Sequence, residues 1–314
     1  MVSGIKKIFI TGGSGMVGKN FLEHQDINNF TVLHPSSNEV NLLQLDQVKN
    51  YLNIHKPDLI IHAAGKVGGI LANIKNPVNF LSENTDMGKN IVLAARENEI
   101  KNLINLSSSC VYPKNINKPL EEDTILTGQL EPTNEGYALA KIHTQRLCQY
   151  INQENHNYLY KTLIPCNLFG RHDNFNLTTG HLLPNIINKI YVAKKNNDPE
   201  VLIWGNGSVR REFMYTSDLI DCLFYSINHF NRLPFVMNVG IGFDYSVLEY
   251  YKAVADAFSW KGKFKFDLSK PVGQKQKLVS IKKLNDFGWQ NRTGLEKAIN
   301  ETIRFFSKGN KDVI

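Results

Sequence analysis

A short apolar run at residues 7–11 passes directly into Gly12-Gly13-Ser14-Gly15-Met16-Val17-Gly18 and then into a helical pattern over residues 16–24. Three glycines at positions 12, 15 and 18, set between a strand and a helix, restrict the fold more than any other feature of this chain. Missing Cβ atoms there permit a tight turn, close approach of a pyrophosphate and close helix–strand contact, and the helix N-terminus stabilises phosphate charge. The pattern continues with strand-like runs at 30–34, 59–64, 102–107 and 158–164, and with helical periodicity at 46–56, 79–98 and 137–155. Strands alternating with helices of this length imply a doubly wound parallel sheet covered on both faces, an α/β fold of the Rossmann type.

After about residue 169 the alternation weakens. A polar loop at 171–180 precedes a helix at 182–195, residues 204–211 are turn-rich, 216–230 is helical, and 235–240 reads as a strand returning to the sheet. The remainder contains helices and a basic segment at 261–283. With 314 residues the chain exceeds the usual size of one domain. The expected organisation is therefore a nucleotide-binding domain at 1–169, completed by parts of 212–242, and a smaller mixed α/β carboxyl-terminal substrate lobe at 170–211 and 243–314.

Composition removes several function classes. The net charge of +7 comes from scattered lysines without an Arg/Lys block, so nucleic acid is not an expected partner. Cys110, Cys148, Cys166 and Cys222 form no C-x-x-C pair, which fits a reducing cytoplasm, and no metal site is expected. No run approaches 18 consecutive apolar residues, and the chain opens without a leader pattern, so no membrane association is expected.

No Asp or Glu stands directly after the second strand to accept the ribose hydroxyls of NAD. His34, Ser36 and Ser37 occupy that neighbourhood and suit either a 2′-phosphate or an ordinary turn, and Asn41-Leu42 is placed for the adenine. Further along, Tyr137 and Lys141 lie one helical turn apart on a shared face. A cation there favours the phenolate and is expected to lower the Tyr137 pKa. The strand ending at Leu106 delivers Ser107, Ser108 and Ser109 to its carboxyl edge, where ligand chemistry occurs in such sheets. A hydroxyl there can orient a carbonyl for hydride transfer. Cys110 adds a thiol that carbonyl reduction does not need, and His181 opens a helix in the second lobe. A thiolate and an imidazole on opposite sides of a keto-sugar could remove and return an α-proton.

Several blocks together resemble the GDP-L-fucose synthase family of bifunctional 3,5-epimerase/4-reductases, within the extended short-chain dehydrogenases/reductases. They are the glycine loop at 12–18, Ala64-Gly-Lys-Val-Gly-Gly69, Ser108-Ser-Cys-Val-Tyr-Pro113, Glu131-Pro-Thr-Asn-Glu-Gly-Tyr-Ala-Leu-Ala-Lys141 and Asn167-Leu-Phe-Gly-Arg-His-Asp-Asn-Phe175. The resemblance implies Ser108, Tyr137 and Lys141 as the reductase residues and Cys110 with His181 as the epimerisation pair. It further implies NADPH/NADP+ as cofactor, held by residues 12–18, Leu106 to Ser109, Tyr137, Lys141, Pro165, Cys166, Asn167, Leu168 and His181. A GDP-linked 4-keto sugar is the implied substrate, bound by Asn167, Lys189, Trp204 and Arg211, and a homodimer is the implied assembly.

The chain departs from the family pattern at Lys189, where some members carry arginine. It also departs at Val272 in Lys270-Pro-Val-Gly273, which ordinarily holds an acidic residue, and in lacking the cofactor-site arginines of some bacterial relatives. Val272 motivates an alternative, the C4-reductase of a GDP-4-keto-heptose with little or no epimerisation. A noncatalytic NADP-binding sensor is a further alternative, which the retained Ser108, Tyr137 and Lys141 oppose.

Overall fold

The computed structural model describes residues 4–269 and 274–309; Val272 and the rest of its motif lie outside the described residues. In chain order the elements are β1 (Lys7–Thr11), α1 (Met16–Leu22), β2 (Thr31–Leu33), α2 (Leu45–His55), β3 (Leu59–His62), α3 (Ile70–Lys75), α4 (Pro77–Glu97), β4 (Asn102–Leu106), α5 (Glu135–Glu154), β5 (Leu159–Pro165) and β6 (Asn167–Phe169). There follow α6 (Leu182–Asn196), β7 (Glu200–Trp204), β8 (Arg210–Arg211), β9 (Phe213–Tyr215), α7 (Thr216–Asn228), β10 (Val236–Val239), β11 (Tyr245–Ser246), α8 (Val247–Ala257), β12 (Lys263–Asp267), β13 (Gln276–Lys277), α9 (Lys282–Phe287) and α10 (Leu295–Gly309).

The main sheet is parallel throughout, in the order β2-β1-β3-β4-β5-β10. Its strands are apolar at successive positions because both faces are covered. Ile8, Ile10, Leu59 and Ile61 pack on one face with α7 residues such as Leu219 and Leu223, whereas Phe9 and Ile60 pack on the other with Val48, Leu52, Ile91 and Ile151. Strand order reverses between β1 and β3, so their carboxyl ends border the crevice in which sheets of this kind bind ligands. The expected Rossmann-type sheet and smaller mixed lobe are both present.

A separate apolar cluster organises the smaller lobe. Leu183, Ile186, Ile187 and Ile190 of α6 pack with Tyr250 and Val254 of α8 and with Ala298 and Phe306 of α10. Here the regular elements exceed the sequence expectation. Residues 204–211 contain the end of β7 and the two-residue β8, which pairs with β11 and β13, and β6 pairs with β9. Strands of two or three residues show no readable period. The helix α3 was likewise not expected, because Ile70, Leu71 and Ile74 are about half exposed and define no core-facing stripe. Among the described residues no helix is long and apolar enough to cross a membrane.

The ends of β1 and β3 are locked together by a buried pair. The Thr11 hydroxyl oxygen accepts hydrogen bonds from the Ala63 and Ala64 amides at 3.2 and 3.1 Å. Its own proton therefore points to His62 Nδ1, 2.9 Å away, which leaves the imidazole proton on Nε2. Burial, assisted by the Lys141 charge, pushes the His62 pKa down to about 3. An unfolded histidine titrates near 6.5, so neutral His62 contributes stability that is complete above that pH and is lost as pH falls towards 3. Between pH 7 and pH 5 this group alone should remove about 2 kcal/mol of unfolding free energy. His62→Asn keeps an acceptor for Thr11 and should flatten that slope in denaturant titrations; an unchanged slope would assign the acid limb elsewhere.

Candidate active site

The glycine turn forms at one end of a cavity of about 900 Å³. Gly12 has φ of +73°, and a Cβ there would stand 2.8 Å from the Ala64 Cα. A Cβ on Gly18 would overlap the Gly12 carbonyl oxygen and Gly13 Cα. The turn is thus folded tightly against α1, whose first turn carries no acidic side chain to oppose a phosphate. Gly12 to Val17 line the cavity, while Gly18 supports them from beneath. These features fit the pyrophosphate of a dinucleotide. Pro35, Ser37, Asn41 and Leu42 extend the same wall. One acidic residue that the sequence reading passed over, Glu39, follows β2 after a short turn. Its carboxylate accepts from the Ser36 amide and hydroxyl, each at 2.8 Å, and the side chain does not line the cavity.

The middle of the cavity is built by the carboxyl end of β4 and the start of α5. Ser108 caps the short 3-10 turn Ser109–Val111, its Oγ accepting from the Cys110 amide at 3.3 Å. Leu106, Ser107, Ser108 and Cys110 face the cavity, and the Ser107 hydroxyl is buried without a protein partner. Ser109 is 2% exposed and does not line the cavity. On α5, Tyr137 and Lys141 both face the cavity as the helical spacing requires. Lys141 is 6% exposed, and its ammonium donates to the Leu106 carbonyl at 2.9 Å.

The electrostatics of this pair differ from the sequence expectation. Burial pushes the Tyr137 phenol well above its ordinary range, and the Cys110 thiol group adds to the rise. Lys141 does not reverse it: its Nζ stands 5.7 Å from the phenol ring centre and its hydrogen bond is directed to Leu106. Burial also lowers the Lys141 pKa, to about 8. Desolvation therefore outweighs the neighbouring cation, and Tyr137 is fully protonated at neutral pH, the state a proton donor requires.

The second lobe closes the cavity. The loop before α6 is tied to α1 through Glu23, which pairs with Arg171 at 3.1 Å and His172 at 2.6 Å, and through Asn20, which donates to the Arg171 carbonyl. Its far end accepts a bond from the Gly69 amide at the Thr179 carbonyl. This bracing delivers His181 to the cavity. The side chain is exposed to the cavity, and the partial desolvation it meets there lowers the imidazole pKa. Pro165, Cys166, Asn167 and Leu168 line the wall between the lobes, with Asn167 donating to the Glu212 carbonyl at 2.8 Å.

Lys189, Trp204 and Arg211 line the far end. The Lys189 ammonium sits 5.9 Å from the Trp204 ring centre, within cation–π range, and burial lowers its pKa. Arg211 donates to the carbonyls of Arg210 and Gln274, both at 2.7 Å. Of the candidate site residues singled out from sequence within the described residues, all but Gly18, His34, Ser36 and Ser109 open into this one cavity. Two further lining residues were missed, Asn134 and Lys277, whose side chains both donate to Cys110 Sγ, at 3.2 and 3.5 Å. Asn134 stands inside a quoted block, three residues before Tyr137, and position was its only signal; Lys277 had none, being far away in the chain.

Residues 8–240 match the model of the NAD dependent epimerase/dehydratase family, and the chain belongs to that family. It is 51% identical over 300 residues to the GDP-L-colitose synthase of Yersinia pseudotuberculosis, covering 96% of this chain and 97% of the relative. It is 44% identical over 306 residues to the GDP-L-fucose synthase of Azorhizobium caulinodans, covering 98% of each. A solved GDP-L-fucose synthetase from Naegleria fowleri bound to NADP superposes with a TM-score of 0.87 at 27% identity, over 100% of this chain and 99% of that one. Gly18→Ala tests the cofactor cradle directly. The added methyl should cost about 1–3 kcal/mol through overpacking and weaken dinucleotide binding in calorimetry; wild-type affinity would place the dinucleotide elsewhere.

Proposed function

We propose that this member of the family takes a GDP-linked 4-keto-6-deoxyhexose, epimerises the carbons flanking the ketone and reduces the ketone with NADPH. With GDP-4-keto-6-deoxy-D-mannose the product is GDP-L-fucose. The juxtaposition of Ser108, Tyr137 and Lys141 with Cys110 and His181 in one cavity carries this assignment. The names of the two curated relatives support a GDP-sugar, and the NADP in the amoebal enzyme supports NADPH. Residues 1–169, with parts of 212–242, hold the dinucleotide in this scheme; 170–211 and 243–314 hold the sugar nucleotide, with Lys189 and Arg211 at the diphosphate and Trp204 near the base.

Cys110, as thiolate, takes a proton from a carbon beside the ketone. The carbon–hydrogen electron pair moves to the ketone oxygen as an enolate, which the hydroxyls of Ser108 and Tyr137 stabilise. His181 in its imidazolium form, a stronger acid for its lowered pKa, returns a proton to the opposite face, inverting the centre, and solvent restores both groups. NADPH, when bound, supplies the hydride for C4. Tyr137 then gives its proton to the oxygen, and its raised pKa keeps that proton in place until negative charge develops. Ser108 orients the carbonyl, and Lys141, anchored on Leu106, is placed to bond the nicotinamide ribose.

A second product is favoured by the relative at 51% identity. L-Colitose is 3-deoxy-L-fucose, so the 3-deoxy form of the same ketone would yield GDP-L-colitose by epimerisation at C5 alone. Both products are distinguished from a simple C4-reductase of a GDP-4-keto-heptose by one experiment. Each ketone is incubated in D2O with and without NADPH, and products are resolved by NMR. The proposal requires L-configured products with deuterium at C3 and C5 of the hexose, or at C5 alone of the 3-deoxy form. Reduction of the heptose without deuterium uptake by any ketone would overturn it. Tyr137→Phe should slow reduction by about 10²–10⁴-fold while deuterium exchange persists. Cys110→Ala should suppress exchange far more than reduction of an already epimerised ketone, and equal losses would remove Cys110 from the proton chemistry.

A further inference from the structure

Two side chains from opposite parts of the chain converge on the Cys110 sulfur. Asn134 is the N-cap residue of α5, a position where asparagine ordinarily accepts a bond from a first-turn amide. Here it makes no cap bond; its amide Nδ2 instead donates to Sγ at 3.2 Å, and its Oδ1 is buried without a protein partner. Lys277 reaches the same sulfur from β13, its Nζ 3.5 Å from Sγ. Among the described residues that is the only hydrogen bond of its ammonium, and it has no carboxylate partner.

The backbone of Lys277 is held on both sides. It lies in parallel register with Arg211 of β8. The Leu278 carbonyl accepts from the Leu120 amide at 2.8 Å, and the Val279 amide donates to the buried carboxylate of Glu212 at 2.9 Å. Glu212 also binds the Ile241 and Gly242 amides, so one carboxylate pins this segment to the loop after β10. An ammonium delivered by such a fixed frame is a built contact with the thiol.

We propose that Lys277, aided by Asn134, is the positioning residue that holds the Cys110 sulfur and supplies the counter-charge when its thiolate forms. The inference rests on Cys110 acting as the epimerisation base. A thiolate needs a counter-charge and hydrogen-bond donors, and these two side chains supply one charge and two donors. The other ionisable groups lining the cavity are Tyr112, Glu131, Tyr137 and Lys141 of α5, Cys166, His181 ahead of α6, Lys189 of α6, Arg211 of β8 and Tyr251 of α8. The Lys189 ammonium bonds the Leu202 carbonyl and the Tyr251 hydroxyl. Among the described residues the His181 imidazole makes no hydrogen bond to the sulfur, unlike Asn134 and Lys277. Lys141 is directed to the Leu106 carbonyl and Arg211 to the carbonyls of Arg210 and Gln274. Lys277 is the cation whose hydrogen bond reaches the sulfur.

Alkylation by iodoacetamide reads the thiolate without substrate or cofactor. Cys148 and Cys222 are buried, and Cys166, although it lines the cavity, is 5% exposed with its thiol pKa raised by burial, so Cys110 is the most accessible thiol, and peptide mass spectrometry identifies the modified residue. For Lys277→Met the alkylation rate at pH 7 should fall about fivefold and converge with wild type near pH 10, and Lys277→Arg should restore most of it. Asn134→Asp sets a carboxylate against the thiolate and should also slow the reaction. With substrate, Lys277→Met should lose more deuterium exchange than reduction. Unchanged alkylation in Lys277→Met would overturn the inference. So would a change confined to the KM for the nucleotide sugar, which would make Lys277 a diphosphate contact. Deuterium exchange by the wild-type enzyme tests the role of Cys110 separately, so the two failures remain distinguishable.

Discussion

The hydrogen bond from Lys141 to the Leu106 carbonyl joins the two elements on which the site depends. Burying an ammonium is unfavourable unless its protons are met, and the carbonyl at the end of β4 meets one of them. That bond fixes the rotation of α5 about its axis, and Tyr137, one turn earlier, is thereby set over the edge that carries Ser108 and Cys110. Close helix packing reinforces it. Gly88 of α4 leaves no room for a side chain beside Thr144, and Gly136 lies against the Pro77 carbonyl. Desolvation, the condition that makes the bond necessary, also sets the chemistry, since it holds Tyr137 protonated and Lys141 near pH 8.

The first half of this arrangement is legible in the chain because it is local. The glycine turn, the strand that ends at Ser107 and the helical pair at 137 and 141 each occupy a few consecutive residues with a defined period. Their assembly along one sheet edge follows from the alternation of strands and helices. The direction of the Tyr137 shift was not legible. Spacing on a helix says that a cation is near, whereas the degree of burial depends on β4, the 3-10 turn after it and the second lobe together.

The smaller lobe resisted sequence reading for a different reason. Several of its strands span only two or three residues, and its sheets close through pairings between distant residues, such as Arg211 with both Tyr245 and Lys277. Family resemblance brought His181 and Arg211 into view, but Lys277 is separated from Cys110 by 167 positions and stands in a two-residue strand. No local pattern marks such a residue. Asn134 was concealed by its own plausibility, since an asparagine at the start of a helix is explained by capping until its side chain is seen turned elsewhere.

The division of the chain into two lobes corresponds to a division of the proposed chemistry. The sheet edge and α5 hold the groups proposed for carbonyl reduction on a frame joined at Leu106. The groups proposed for proton exchange, His181 and Lys277, come from the smaller lobe, and both reach the cavity through braced segments, the 171–180 loop and β13. Cys110 is the point of contact, because it sits on the sheet edge while its proposed counter-charge comes from the other lobe. Its influence on Tyr137 runs in the useful direction. Negative charge on the sulfur disfavours loss of the phenol proton, so the state prepared for epimerisation also preserves the donor required for reduction. Both proposed reactions therefore have their groups within one cavity, without movement of the substrate between sites.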